Sequence, residues 1–296
     1  MRILITGGTG FIGSMLQQVL SDAGHELLVL TRQALSSEGE RSTTFLKSLD
    51  EIPDSANVDA IVNLAGASLA DKRWSTRYKK TIVDSRLETT ASVVALCRRL
   101  QVKPSVLVSG SAIGYYGARG AEKLDESADQ GEGFSAQLCG DWEREASAVE
   151  AMGIRLCLVR LGVVLDSDGG AFVEMAKPFR MGVANWIGSG DQYLSWIHRR
   201  DVVGAILFLL ERNDVDGVFN VTAPEPVTSK GFCQALQAHL RTWITLPMPA
   251  GVMRLLVGEM ADELLVQGQR VLPNRLQNEG YAFQYADLDS ALATLV

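Results

Sequence analysis

Three glycines in the stretch GGTGFIG, which begins at Gly7, have the spacing of a loop that binds a pyrophosphate group. They follow the β-branched run RILIT and precede a helical pattern of apolar residues. The first glycine permits a tight turn, the second lets the backbone approach the phosphates, and the third allows close packing of helix on strand. The N-terminus of the helix then faces the anion. The residues expected to bind the cofactor here are Gly7, Thr9, Gly10, Phe11, Ile12 and Gly13.

The end of the next strand, LLVLTR, indicates which dinucleotide is bound. Proteins that prefer NAD usually place an aspartate or glutamate there to accept hydrogen bonds from the ribose 2′-hydroxyl. This strand ends instead with Thr31 and Arg32. A guanidinium can form a charge-assisted fork on a 2′-phosphate, so the sequence predicts NADP(H) as the cofactor. The alternative is that Arg32 lies in solvent at the edge of the sheet.

The elements that would position these residues alternate between strands and helices. Strand-like runs are separated by helix-length segments, and they cover residues 59–66, 104–112, 154–165 and 217–223. This alternation predicts an α/β fold with a doubly wound parallel sheet, covered by helices on both faces.

Two parts of the chain depart from that alternation. Residues 166–200 are glycine-rich and irregular, and residues from 224 onward are typical of helices with proline-containing connections. We expect two units: a Rossmann domain formed by residues 1–165 and about 201–223, and a smaller, mostly helical lobe formed by about 166–200 and 224–296. The lobe would close over the C-terminal edge of the sheet.

Composition excludes several classes of function. The 296 residues are 47% hydrophobic and 21% charged, which is typical of a globular protein, and a net charge of −7 without a basic block excludes nucleic-acid binding. The apolar runs are too short for a membrane span, and no leader peptide fits before ILITGG, so we expect a cytoplasmic protein. The four cysteines and three histidines are scattered and predict neither disulfides nor a metal site.

The ordered motifs TGGTGFIG, VNLAG, VLVSGSAIGYYG, RLGVVL and GSGDQYLSWIHRRDVV resemble those of the extended short-chain dehydrogenases/reductases of the sugar-nucleotide epimerase type. The C-terminal stretch VQGQRVLPNRLQNEGYAFQYADLDSAL is similar to the YfcH-like epimerase family, an atypical branch. The resemblance covers nearly the whole chain. It implies that VNLAG contacts the cofactor through Leu64, Ala65 and Gly66. Homodimers that pair through helices are common in the resembled family, so the resemblance also implies a homodimer as one possible state of this protein.

The resemblance also implies a catalytic serine at Ser111, but the helix FSAQLCGDWE departs from the family pattern. That family has a tyrosine and, four residues later, a lysine, where this chain has Ser135 and Cys139. A serine hydroxyl is too weak an acid to replace the tyrosine without a strong partner. Cys139 is either a proton carrier, if Arg86 or the nicotinamide lowers its pKa, or a small buried apolar residue.

Other residues could supply the missing groups. Arg86 stands where the family has an asparagine, and it could give the positive charge of the lysine to the cofactor or to a developing oxyanion. Tyr116, just beyond Ser111, is either a replacement phenol or part of the packing around the substrate. Arg160, at the end of a strand, either contacts the cofactor or forms a salt bridge. Leu194 stands where nucleotide-sugar enzymes often have an arginine for the diphosphate.

Two functions therefore stay open at this point. The first is an NADP-dependent oxidoreductase or epimerase with a changed acid–base set that acts on a small polar or sugar-derived substrate. The second is a non-catalytic NADPH-binding protein that senses cofactor state or regulates a partner.

Overall fold

The computed structural model describes residues 1–33 and 42–296. In that part of the chain the α-helices are α1 Phe11–Asp22, α2 Thr76–Arg99, α3 Phe134–Ser147, α4 Gly170–Arg180, α5 Arg199–Glu211, α6 Ser229–His239, α7 Ala250–Val257, α8 Asn274–Asn278 and α9 Leu288–Leu295. Short 3-10 turns cover Leu49–Glu51, Ile113–Tyr116 and Glu150–Met152, and a π-helical turn covers Asp262–Val266.

The strands in the described residues are β1 Arg2–Thr6, β2 Glu26–Leu30, β3 Thr43–Leu46, β4 Ala60–Asn63, β5 Val106–Ala112, β6 Lys123–Leu124, β7 Arg155–Leu161, β8 Val163–Asp166, β9 Val183–Ile187, β10 Tyr193–Leu194, β11 Trp196–His198, β12 Gly217–Val221, β13 Val227–Thr228, β14 Ile244–Met248 and β15 Arg270–Val271.

A seven-stranded sheet forms the centre of the described structure. Its strand order is β12-β7-β5-β4-β1-β2-β3, and every neighbouring pair is parallel. The strand order reverses between β1 and β4, and ligands of doubly wound sheets bind in the crevice outside the carboxyl ends of the strands at such a point. The expected Rossmann fold, with a helical C-terminal region, is confirmed.

Both faces of the sheet are apolar because each is covered by helices. Along β4, Ala60 and Val62 pack on one side while Ile61 packs on the other, and none of the three is exposed. Helices α1 and α5 contribute to the first side, and α2 and α3 contribute to the second. A further apolar cluster, which includes Phe172 and Trp196, holds α4, α6 and α9 together.

The boundaries differ from the predicted elements in a few places. The run 154–165, expected as one strand, is divided at Gly162 into β7 of the main sheet and β8, which pairs with β11. A Cβ at Gly162 would lie 2.6 Å from the Ser195 carbonyl oxygen, so the chain crosses closely there. Residues 166–200, expected to be irregular, contain α4 and β9 to β11. The division into two domains stays a prediction.

No helix in the described part of the chain is long and apolar enough to cross a membrane.

Candidate functional site

The glycine-rich turn lies between β1 and α1 and is held closely against β4. Gly7 has a φ of +69°, and a Cβ there would lie 2.6 Å from the Leu64 carbonyl oxygen. A Cβ at Gly13 would lie 2.3 Å from the Gly7 carbonyl oxygen. The N-cap of α1 is Gly10, which has no side chain to accept from the first-turn N–H groups. Those N–H groups can therefore bind an anion such as a pyrophosphate.

Thr31 and Arg32 follow β2 at the same edge of the sheet. Thr31 is buried, and its hydroxyl lies 3.4 Å from that of Thr9 in the glycine-rich turn. Arg32 is exposed. The turn and the end of β2 therefore lie side by side, as a site for an adenosine ribose with a 2′-phosphate requires.

Arg86 lies on α2 against the segment that follows β4. Its Nη1 donates to the carbonyl oxygens of Ala67 and Ile82, at 3.1 and 3.0 Å. The guanidinium stacks over the Trp142 ring at 5.2 Å, and a Cβ at Gly66 would lie 2.9 Å from Arg86 Cζ. Burial lowers the pKa of Arg86. The hydrogen bonds that Arg86 donates in the described structure go to carbonyl oxygens, which do not neutralise its charge. A negatively charged group that approaches Gly66 would therefore be attracted to the guanidinium.

Ser111, Glu143 and Arg160 form a buried hydrogen-bonded group at the end of β5. Ser111 and Arg160 are register partners on β5 and β7, and Glu143 reaches them from α3. The Ser111 hydroxyl donates to Glu143 Oε1 at 2.6 Å, and Arg160 donates to both carboxylate oxygens at 2.8 Å. Burial opposes the charged form of Arg160, but the hydrogen bonds and charge of Glu143, together with Tyr116, outweigh burial and raise the pKa of Arg160. The Ser111 oxygen is left to accept a hydrogen bond, because its hydrogen is engaged.

Tyr116 joins this group from the turn after β5. It is fully buried, donates to Asn220 Oδ1 at 2.7 Å and accepts from Arg160 Nη1 at 2.9 Å. Burial raises the pKa of Tyr116 to about 12, although Arg160 acts in the opposite direction. Arg160 also lies 3.4 Å from the centroid of the Tyr115 ring. Tyr116 is therefore protonated at neutral pH, with its hydroxyl used on both sides.

Ser135 and Cys139 lie one turn apart on α3, on the helix face that also carries Glu143. A Cβ at Gly114 would lie 3.1 Å from Ser135 Cβ and 3.8 Å from Cys139 Sγ, so both side chains border the same turn. Burial, and then the charge of Glu143, raise the pKa of Cys139 to about 11. The Ser135 hydroxyl is buried and has no hydrogen-bond partner among the described residues.

Ser135 borders a cavity of about 610 Å³. Its walls include the glycine turns at Gly114 and Gly117, the amides of Gln267 and Gln269, and the carboxylate of Glu263. Glu263 belongs to the π-helical turn Asp262–Val266. The cavity thus lies between the end of β5, the start of α3 and the C-terminal region.

Glu263 closes the N-terminus of α3. Its carboxylate accepts hydrogen bonds from the backbone N–H groups of Phe134 and Ser135, at 3.0 and 3.1 Å. These N–H groups lack a partner inside the helix, and a carboxylate there is further stabilised by the helix dipole.

The structure brings some predicted residues together and adds others. Ser111, Tyr116 and Arg160 share one network, while Ser135 and Cys139 share one turn. Sequence reasoning did not identify Glu143, Asn220 and Glu263 as site residues. Glu143 carried a signal, because it stands four residues after Cys139 on the same helix face. Asn220 and Glu263 carried none, because each contacts a partner more than 100 residues away.

Comparison with known families supports one assignment over most of the chain. Residues 3–222 match the model of the NAD dependent epimerase/dehydratase family. Residues 248–295 match a model described as a domain of unknown function, DUF1731.

Similar proteins cover all or nearly all of this chain. The epimerase family protein YfhF of Bacillus subtilis is 37% identical over 304 residues, which span 100% of this chain and 98% of that protein. The crystal structure of the human epimerase family protein SDR39U1 (isoform 2) with NADPH has a TM-score of 0.88 and 34% identity, covering 100% of this chain and 99% of that chain. A nucleoside-diphosphate sugar epimerase from Corynebacterium glutamicum has a TM-score of 0.79 and 26% identity, covering 99% of this chain and 57% of that chain.

Proposed function

The chain belongs to the NAD dependent epimerase/dehydratase family, and on that premise we propose that it binds NADP(H) and transfers hydride to or from a small polar, sugar-derived substrate. The observation that carries this proposal is the unpartnered, buried hydroxyl of Ser135, a residue that lines the 610 Å³ cavity. A buried hydroxyl without a partner is costly, and a substrate oxygen would satisfy it.

The residues of the first two strands fit a phosphorylated dinucleotide. The uncapped N-terminus of α1 suits the pyrophosphate, and the Gly7 turn leaves no room for a side chain. Thr31 and Arg32 suit a 2′-phosphate, and no carboxylate stands at residues 31–33. The human relative of similar fold was crystallised with NADPH, which supports the same choice here.

When bound, the nicotinamide supplies or accepts the hydride. Ser135, which lines the cavity, and two residues outside its lining, Arg86 and Cys139, then have separate roles. Ser135 donates a hydrogen bond to the substrate oxygen, since the Ser111 hydrogen is held by Glu143. Arg86 stabilises negative charge that develops nearby, because only carbonyl oxygens accept its described hydrogen bonds. Cys139, with a pKa of about 11, is protonated at neutral pH and cannot act as a base.

Turnover of NADPH tests this function. Purified protein is mixed with NADPH and a panel of carbonyl compounds and nucleotide sugars, and the loss of reduced nicotinamide is followed by absorbance. We expect at least one compound to be reduced. Ser135→Ala should lower kcat by about a hundredfold, the usual cost of a lost oxyanion donor, while leaving NADPH affinity unchanged. Ser147→Ala, at the other end of α3, is the matched control.

A second candidate is a non-catalytic NADPH-binding sensor. It is favoured by the engaged hydroxyls of Ser111, whose hydrogen is donated to Glu143, and of Tyr116, the phenol among the described residues that line the cavity. Tight NADPH binding without turnover of any compound in the panel would support the sensor and contradict the enzyme.

A further inference from the structure

The cavity beside Ser135 has an unusual charge distribution for a family whose members include nucleotide-sugar enzymes. Among the described residues that line it, the one cation is Arg119. That guanidinium already forms a two-bond pair with Glu122, at 2.7 and 2.8 Å. The cavity wall also carries two carboxylates, Glu132 and Glu263. A ligand with a diphosphate would therefore bring negative charge toward carboxylates without gaining a free cation.

The N-terminus of α3 is the natural anion-binding position of this cavity. Its first N–H groups and its dipole would favour a phosphate or a carboxylate of a ligand. Glu263 already occupies the position, through hydrogen bonds from Phe134 and Ser135. Near Glu263, Lys79 of α2 pairs with Glu259 at 2.6 Å, and Arg254 pairs with Asp262 at 2.9 Å within the C-terminal region. The protein thus supplies the anion from its own chain.

What remains in the cavity are neutral hydrogen-bonding groups. Gln267 and Gln269 contribute amides, and the buried Ser135 hydroxyl has no partner in the described structure. Groups of this kind recognise hydroxyl and carbonyl oxygens, which they match in both donors and acceptors.

We propose that the cavity selects an uncharged polyhydroxylated carbonyl compound or its alcohol, and that Glu263 excludes nucleoside diphosphate sugars by occupying the N-terminus of α3. This proposal rests on the proposed function, since it names the substrate class of the same site. It departs from the nucleotide-sugar substrates named for several proteins of similar fold.

Saturation-transfer NMR on the NADPH-loaded protein tests the proposal. NADPH occupies the dinucleotide site, so that a nucleotide sugar cannot bind there. The probes are UDP-glucose and a panel of uncharged aldoses, ketoses and polyols with three to six carbons. We expect saturation transfer to at least one uncharged compound, its loss in Ser135→Ala, and no transfer to UDP-glucose in the parent protein.

Two substitutions separate the role of Glu263 from a general effect of charge. Glu263→Gln should raise the affinity for UDP-glucose at least about tenfold, because the N–H groups of α3 are released from a charged acceptor. Glu132→Gln removes the same charge from the same cavity without uncapping the helix, and it should change that affinity by much less. Binding of UDP-glucose by the parent protein, or no transfer to any uncharged compound, would overturn the proposal. Failure of the protein to load NADPH would instead contradict the proposed function.

Discussion

Two guanidinium groups lie near the candidate site, Arg160 buried and Arg86 half-buried, and their surroundings differ. Arg160 is neutralised by Glu143 through two short hydrogen bonds. Arg86 has carbonyl oxygens and the face of Trp142. Arg160 therefore contributes to a closed network, whereas Arg86 keeps a charge that a ligand can use.

Replacement of Arg86 tests whether this charge supports the cofactor. We expect Arg86→Ala to weaken NADPH binding by about 1–3 kcal/mol, the usual contribution of a hydrogen bond to a charged group. Calorimetric titration measures the change. Arg77→Ala, at an exposed position on the same helix, should leave the affinity unaltered. Equal affinities in the parent and Arg86→Ala would remove Arg86 from the cofactor site.

Cys139 gives a pH dependence of known sign. Burial raises its pKa from the ordinary value near 9 to about 11 in the folded protein. The folded state thus favours the protonated thiol, so this contribution to stability is complete below about pH 9 and is lost as the pH rises toward 11. In urea unfolding, Cys139→Ala should lose less stability than the parent between these values. Parallel losses in the two proteins would show that Cys139 does not titrate as expected.

At the residue scale, the sequence indicated which side chains could do chemistry, but it did not indicate which side chains would be hydrogen-bonded to one another. Ser135 and Cys139 were identified from their place in a motif, and the structure has them beside one turn. The engagement of the Ser111 hydrogen with Glu143 could not be read from the sequence. It depends on the side-chain direction of residues from a strand and a helix 32 positions apart.

Helix α5 links the central sheet to the C-terminal region through its first turn. Asp201 is almost fully buried and accepts hydrogen bonds from the backbone N–H groups of Gln284 and Tyr285, at 2.7 and 2.9 Å. The Tyr281 hydroxyl donates to the same carboxylate at 3.2 Å. On the other side, Arg199 donates to Ser14 of α1 at 2.7 Å. One helical turn thereby contacts both the glycine-rich region and the C-terminal segment.

Replacement of Asp201 measures the strength of this link. Each carboxylate oxygen of Asp201 accepts a hydrogen bond from one backbone N–H. The amide of an asparagine has only one oxygen, so it could accept only one of these two hydrogen bonds. Asp201→Asn should therefore cost about 2–3 kcal/mol of unfolding free energy by urea, through an unsatisfied buried donor. Asp214→Asn, which alters an exposed ion pair, should cost much less. A similar small cost for both substitutions would contradict the assigned role of Asp201.

At the element scale, the periodicity of apolar residues predicted the strands and helices of the βα units well. It predicted the segments outside those units poorly. β1, α1 and β2 follow from a β-branched run, an apolar helical stripe and a glycine stop. The division of residues 154–165 at Gly162 could not be predicted, because both halves have the same β-type composition and only their partners differ. β14 was missed because four of its five residues are exposed, so it lacks the buried pattern of a strand.

On the scale of the whole molecule, the C-terminal region contacts the sheet domain beside the candidate cavity. Glu263 binds the N-terminus of α3, and Met260 packs with Trp74 and Leu138 in one apolar cluster. This arrangement fits a lobe that covers the substrate, and its role as a lid stays a prediction.

Hydrogen exchange tests whether the lobe responds to ligands. We expect NADPH together with a bound substrate to slow amide exchange in residues 166–200 and 249–266, because ligand contacts order a lid. Exchange in β1, whose residues 3–5 are fully buried, should not change and serves as the internal control. Identical exchange with and without the ligands would contradict the lid.

We propose that Arg32 makes the dinucleotide site specific for NADP(H), and calorimetric titration of both cofactors checks this role. A 2′-phosphate paired with a guanidinium contributes about 1.5–3 kcal/mol, so NADPH should bind about 10 to 150 times more tightly than NADH. Arg32→Ala should abolish most of that preference, while Arg98→Ala, an exposed arginine on α2, should preserve it. Equal affinities for NADPH and NADH, or a preference unchanged in Arg32→Ala, would contradict this role of Arg32.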